Sequence, residues 1–175
     1  VEIDDRMEKF NLLQMKYNRN NIIKEMKTKD IHLSLNSFLE PQYSRELLSN
    51  LYNEIDKLGE NKEEFKFDHS NSKAVKELDL LFKKIPKQLQ EKEVILFHLN
   101  YLETGAIILR LKDIFSDINW IVNFSGYSNG YFDFIVFEST FNLGICIERF
   151  EYWDTFTNWG LFNYYGSTID FHSLW

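Results

Sequence analysis

Two acidic side chains, Glu138 and Glu148, fall on neighbouring segments that read as strands, 131–138 and 143–151, joined by a short turn at 140–142. Along a strand, side chains alternate between faces. Asp133 and Glu138, five apart, therefore point oppositely, and so do Glu148 and Glu151, three apart. One acid from each strand, for example Glu138 with Glu148, could meet across the ladder. Facing carboxylates bind a hard cation or serve as an acid/base pair with separated ionisation. A metal-dependent hydrolase using Glu138 and Glu148, with His98 beside them, is one function these residue types allow. The competing expectation is an acidic solvent face on a half-buried sheet.

Other chemistry-bearing residues point away from catalysis. No pair among His32, His69, His98 and His172 has metal-ligand spacing, and none adjoins a cysteine. His98 lies in an apolar stretch, where a hydrogen-bonded core histidine is expected. His69 lies in the polar run Asp68-His69-Ser70, expected to be a solvated loop. Cys146, the one cysteine, stands between Ile145 and Ile147 and reads as a buried thiol. It excludes an internal disulfide framework and a cysteine-rich zinc site. Glycines 126 and 130 bracket a turn rather than a phosphate loop. Ser125-Gly126 lacks the following helix that a nucleophile elbow needs. No catalytic residue, metal ligand or cofactor site is assigned from the sequence.

The densest functional signal is acidic and aromatic: Glu148-Arg149-Phe150-Glu151-Tyr152-Trp153-Asp154, with Trp159-Gly160 close behind. Tryptophan and tyrosine are enriched at binding hot spots. They are equally at home in a sheet core, and core is the expectation for Trp120, Phe124, Ile135 and Phe137. For Tyr152, Trp153 and Trp159 both roles stay open.

The elements that position these residues follow from periodicity. Met7, Phe10, Leu13, Tyr17 and Ile22 or Ile23 recur at helical intervals and predict a long first helix. Pro41 opens a second, with Leu47, Leu48, Leu51, Tyr52, Ile55 and Leu58 on one face and Gly59 as its stop. Residues 60–72 predict a loop with a short strand at 65–67. Ser72 is the expected cap of a third helix, which Pro86 ends. Residues 93–99 predict a buried strand. Thr104 is the expected cap of a helix carrying Ile107, Ile108, Leu111, Ile114, Phe115 and Ile118. The alternation of Trp120, Val122 and Phe124 predicts a strand that opens a three-stranded meander. The expected fold is α+β: N-terminal helices packed with a C-terminal, mostly antiparallel sheet. One domain is expected over 1–175, with a helical part (1–91) and an acidic, aromatic-rich part (92–175).

Charge divides the chain unevenly. After Lys112, residues 113–175 hold one basic side chain, Arg149, and eight acids, so this segment carries the whole formal charge of −7. It also holds 19 of the 29 aromatics. Such a surface attracts a cationic partner and repels phosphates. The lysines at 24, 27, 29 and at 83, 84, 87 are interleaved with acids and read as solvated helix faces, not a nucleic-acid patch. No apolar run is long enough to span a bilayer. Residues 1–5 do not read as a signal peptide, so a cytoplasmic location and no membrane partner are expected. Alanine is scarce while Asn, Lys, Ile and Phe are abundant, a usage that suits an AT-rich genome.

The block 92–160, with its strand, capped helix, acidic meander and ending Glu151-Tyr152 to Trp159-Gly160, resembles the small acidic immunity proteins encoded beside polymorphic or contact-dependent bacterial toxins. The resemblance implies a non-enzymatic protein that binds one cognate toxin, often a basic nuclease, and occludes its active site. The candidate contacts are then Asp133, Glu138, Glu148, Glu151, Tyr152, Trp153, Asp154 and Trp159. A self-associating domain that uses the aromatic end, Phe171 to Trp175, is a further alternative.

Overall fold

The computed structural model describes residues 2–162, with side chains from residue 6 onward. The aromatic end at 171–175 lies outside the described residues. Helices α1 (Glu2–Lys27), α2 (Pro41–Lys57) and α3 (Asn71–Lys84) dominate the first half, with strand β1 (Lys62–Phe67) between the last two. There follow α4 (Lys87–Gln90), β2 (Glu93–Leu96), α5 (Tyr101–Thr104), β3 (Ile107–Arg110), α6 (Leu111–Phe115) and α7 (Ile118–Ser125). Strands β4 (Phe134–Phe137), β5 (Gly144–Arg149) and β6 (Asp154–Trp159) complete the described chain. This is the expected α+β architecture. The six strands form one sheet in the order β1-β6-β5-β4-β2-β3, antiparallel at every pairing.

Helices cover both faces of this sheet. On one, Leu47, Leu51 and Ile55 of α2 pack against Ile95, Phe97, Ile135, Phe137 and Cys146. On the other, the end of α1 (Ile22, Met26) joins α3, α6 and α7 over Leu96, Ile107, Phe134, Val136, Ile145 and Phe156. The central strands are therefore apolar on both sides, and β4 is buried at every position. Helix α2 starts at Pro41, as expected, and ends before Gly59, whose φ of +54° is left-handed. Helix α1 is as long as its spacing predicts, but Met7, Phe10, Leu13 and Tyr17 are exposed. Only its last turns reach the core.

Several expectations need correction. The helix predicted over 107–118 is β3 followed by α6 and the start of α7. Ile107 and Leu109 face one core while Ile108 packs on the other, so a strand apolar on both faces loses its period of two. Thr104 caps no helix; it ends α5, and its hydroxyl bonds the Asn100 carbonyl at 3.1 Å. The strand predicted at 120–124 is α7. Asp117 caps it by accepting from the Trp120 N–H, and it buries Ile118, Ile121, Val122 and Ser125 at helical spacing. Ser70, not Ser72, caps α3. The meander is β4-β5-β6 rather than one that begins at residue 119. The short strand expected at 65–67 extends to Lys62–Phe67 and pairs along β6.

His98 is the core histidine expected. It is 1% exposed, stacks on Phe124, and its Nε2 lies 3.1 Å from the Gly105 carbonyl. Burial pulls its pKa down to about 4, because the charged ring has no water around it. A histidine depressed below its unfolded value of 6.5 contributes full stability above that value. The contribution is lost as pH falls from there to about 4. The protein should lose up to about 3 kcal/mol by this route on acidification. His98→Gln should remove that component of the pH dependence. Urea melts from neutral pH down to pH 4 check this; an acid limb unchanged by the substitution counts against it.

Candidate functional site

Asp154, a candidate partner contact, opens β6 and is fully buried. Its carboxylate accepts from three side chains on three different segments. The Tyr127 hydroxyl donates at 2.5 Å from the turn after α7, Arg149 Nε at 3.2 Å from the end of β5, and His69 Nδ1 lies 3.0 Å away on the β1–α3 connection. The Arg149 guanidinium stacks on the Tyr127 ring at 4.4 Å and donates to Asn71 Oδ1 at 3.2 Å. Burial and the bond to Asp154 push the Tyr127 phenol well up, so it remains a donor. The second ring nitrogen of His69, Nε2, lies 3.1 Å from the Glu151 carbonyl. Both His69 partners are acceptors, so only the doubly protonated ring donates to both at once.

This cluster fixes the β5–β6 hairpin. Arg149 and Asp154 are its last paired residues, and the Phe150 N–H closes the turn onto the Trp153 carbonyl at 2.9 Å. The loop between them carries Phe150, Glu151, Tyr152 and Trp153, all exposed, with Tyr152 at 70%. A projecting aromatic loop on a tight hairpin is unusual, since exposed aromatic surface favours association. Glu151, Tyr152 and Trp153 thus share one surface, as candidate contacts must.

Beside the tip, α2 leaves a gap over β1 and the hairpin ends of β5 and β6. A groove of about 460 Å³ remains, lined by Tyr52 and Asp56 of α2, Lys62, Glu64 and Lys66 of β1, Glu148, Thr155, Phe150 and Trp153. Lys62 pairs with Glu64 at 3.3 Å, and Lys66 Nζ lies 4.5 Å over the Trp153 ring. Glu148 is half-buried in the groove, and its carboxylate, among the described residues, takes no hydrogen bond or ion pair. Burial, then the charges of Asp133 and Glu64, raise its pKa above the ordinary carboxylate range, against a smaller opposing pull from Lys62. Burial pushes the Cys146 thiol up in the same way, and the charges of Glu148 and Asp133 add to it.

The remaining candidates are engaged in the fold. Asp133 serves the fold, accepting from the Arg149 N–H and the Tyr52 hydroxyl, each at 3.0 Å. Glu138 does not face Glu148. It lies just past β4, where its N–H bonds Leu143 and its carboxylate takes the Thr140 hydroxyl and pairs with Lys92 at 3.5 Å. Glu148 is at the far end of β5, about 17 Å along the strand, because the register sets Phe137 against Gly144 and Phe134 against Ile147. Buried His98 is near neither. Among the described residues no group of three or more His, Cys, Asp or Glu side chains is placed to hold a metal ion. Trp159 belongs to the core: its ring packs on Gly144, where a Cβ would lie 2.3 Å from it, and its indole N–H bonds the Phe141 carbonyl. Asp154 and Trp159 therefore leave the candidate contact surface. Sequence reasoning missed Tyr127, His69, Arg149 and the whole β1 wall. The alternation Lys62, Glu64, Lys66 was the available signal.

A larger hollow of about 850 Å³ lies where α1 meets α5, lined by Met7, Leu12, Met15, Leu102 and polar neighbours. No helix of the described residues is long and apolar enough to cross a membrane. The family model described as YxiF protein matches residues 22–159, and the chain belongs to that family. The match takes in the groove, the hairpin and the Asp154 cluster, and leaves out the exposed stripe of α1. No curated protein and no solved structure matches the chain.

Asp154→Asn should cost about 3 kcal/mol, because it strands the Arg149 guanidinium against a neutral amide. A chemical-denaturation difference below about 0.5 kcal/mol contradicts this. Glu148→Gln should do the opposite. A carboxyl raised above its unfolded value destabilises the fold at neutral pH and is relieved as pH falls through its folded value. The amide should raise Tm at pH 7 by roughly 1–3 °C, and the gain should vanish in acid. A lowered Tm, or a gain that persists once both carboxyls are protonated, goes against it.

Proposed function

We propose that this YxiF-family chain is a non-enzymatic binding protein. In this reading it neutralises a basic partner, a toxin domain, by covering that partner's active site. The observation that carries the reading is the hairpin tip: three exposed aromatics held on a loop whose base is fixed by a buried carboxylate. A rigid aromatic projection loses little entropy on docking and serves as an anchor. Glu148, Glu151 and Asp56 give its surroundings an acidic bias, which speeds encounter with a cationic surface and selects against anionic ones. The segregation of the whole net charge into 113–175 agrees with such a partner. The bacterial immunity proteins that the chain resembles act in this way in the cytoplasm. The site on this chain comprises Glu148, Glu151, Tyr152 and Trp153, with Phe150 added from the geometry.

A second reading, self-association, is favoured by the stripe Met7, Phe10, Leu13 and Tyr17, each more than half exposed on α1. Mass in solution separates the two: a monomer removes self-association.

The tip is tested by capture from lysate of the native cell, followed by kinetics on whichever basic protein is retained. Tyr152→Ala with Trp153→Ala should raise Kd at least about thirtyfold, through faster dissociation, for roughly 2 kcal/mol of lost anchor. Glu148→Lys with Glu151→Lys should slow association about tenfold and flatten its salt dependence. Kinetics unchanged by both pairs of substitutions would remove the tip from the interface.

A further inference from the structure

We propose that the groove between α2 and the β1–β6–β5 half of the sheet is a subsite for the guanidinium of an arginine carried by the partner. The source of that arginine rests on the binding-protein reading; the subsite itself rests on the groove. Two observations converge on it.

The first is an uncompensated carboxylate. The Glu148 carboxylate has no hydrogen bond or ion pair among the described residues, although it is half-buried in the groove beside α2. Three acids surround it, Asp133, Glu64 and Asp56, and the one cation that offsets them, Lys62, is already bound to Glu64. Lys66, the other groove cation, is held over the Trp153 ring. A half-buried carboxylate whose nearest cation is shared with another acid is costly, and an incoming cation recovers that cost as binding energy.

The second is an orphaned hydroxyl. Thr157 Oγ1 is buried with no hydrogen-bond partner, on a residue 1% exposed. Along β6 it lies between Thr155, which lines the groove, and Trp159, which packs under α2, so it is on the same face of the sheet, beneath the groove lining. Its neighbour across the ladder is Glu64 on β1. Its oxygen accepts from no donor, so a guanidinium N–H reaching the sheet beneath the groove would fill an empty acceptor position.

Guanidinium fits both requirements better than other cations. Its planar fork presents five N–H donors, enough for a bidentate carboxylate bond and a further acceptor. It also stacks on aromatic faces, and Tyr52, Phe150 and Trp153 wall this groove. A lysine ammonium supplies charge without the flat face. A metal ion needs several oxygen ligands converging on one point, and the described residues hold no such set.

The test titrates the isotopically labelled protein with N-acetyl-L-arginine amide at constant ionic strength, following the Trp153 indole and the Thr155 and Thr157 amides by NMR. Saturable shifts are expected with Kd on the order of 1–10 mM. Glu148→Gln should weaken binding about tenfold and Thr157→Val about threefold, for one lost charged bond and one lost neutral bond. N-acetyl-L-lysine amide should bind several times more weakly. No saturable shift, or a response that Glu148→Gln leaves intact, overturns the subsite. So does an equal response to Mg²⁺, which would make it a cation site without preference for guanidinium. The model compound needs no partner, so its failure leaves the aromatic tip standing, and failed capture leaves the subsite standing.

Discussion

The buried carboxylate of Asp154 holds the functional end of this molecule together. It draws donors from the turn after α7, the end of β5 and the β1–α3 connection, segments far apart in sequence. Arg149 is the one basic residue after Lys112, and it is spent on this bond. A buried ion pair is a weak source of net stability against an apolar substitute, and its clearest use is to fix geometry. Here the geometry fixed is that of a hairpin whose loop residues, Phe150 to Trp153, are all exposed. His69 extends the constraint to the loop itself through the Glu151 carbonyl. In the binding-protein reading, loss of the cluster would add an ordering cost to each encounter.

The groove beside the tip follows from a mismatch of lengths. Helix α2 buries Leu47, Leu51 and Ile55 over the middle strands, but the sheet continues through β6 to β1. The uncovered half is polar: Lys62, Glu64 and Lys66 on β1, Thr155 on β6, Glu148 on β5. These choices keep an edge strand from pairing with other chains. They also leave Glu148 short of a counter-charge. Tip and groove share Phe150 and Trp153, so the aromatic loop and the charged groove form one continuous surface. The exposed stripe of α1 lies outside the family match.

Much of the fold was legible in the sequence because its signals are local. Pro41, Gly59 and the apolar spacing of α2 marked that helix, and the turn residues at 140–142 marked the β4–β5 hairpin. Legibility failed where tertiary burial erased the period. Ile107 to Arg110 forms a strand covered on both faces, so its apolar run mimicked a helix. Trp120, Val122 and Phe124 alternate in sequence, yet Asp117 and Gly126 bracket them as a helix. At the site, the acidic aromatic loop was visible from composition alone. The difference between Asp154 and Glu151, or Trp159 and Trp153, was not, because it depends on which residue β1 and the α7 turn reach. Glu138 and Glu148 were paired wrongly for the same reason: facing acids require a register, and the register is set by Gly144 lying under the Trp159 ring.

Hydrogen exchange of the chain with and without its captured partner tests the central claim most directly. The account predicts new protection at 148–155, on the hairpin tip, and at 52–66, on the groove walls, with the exposed half of α1 unchanged. Protection confined to that half of α1, with the hairpin exchanging as it does alone, would contradict it.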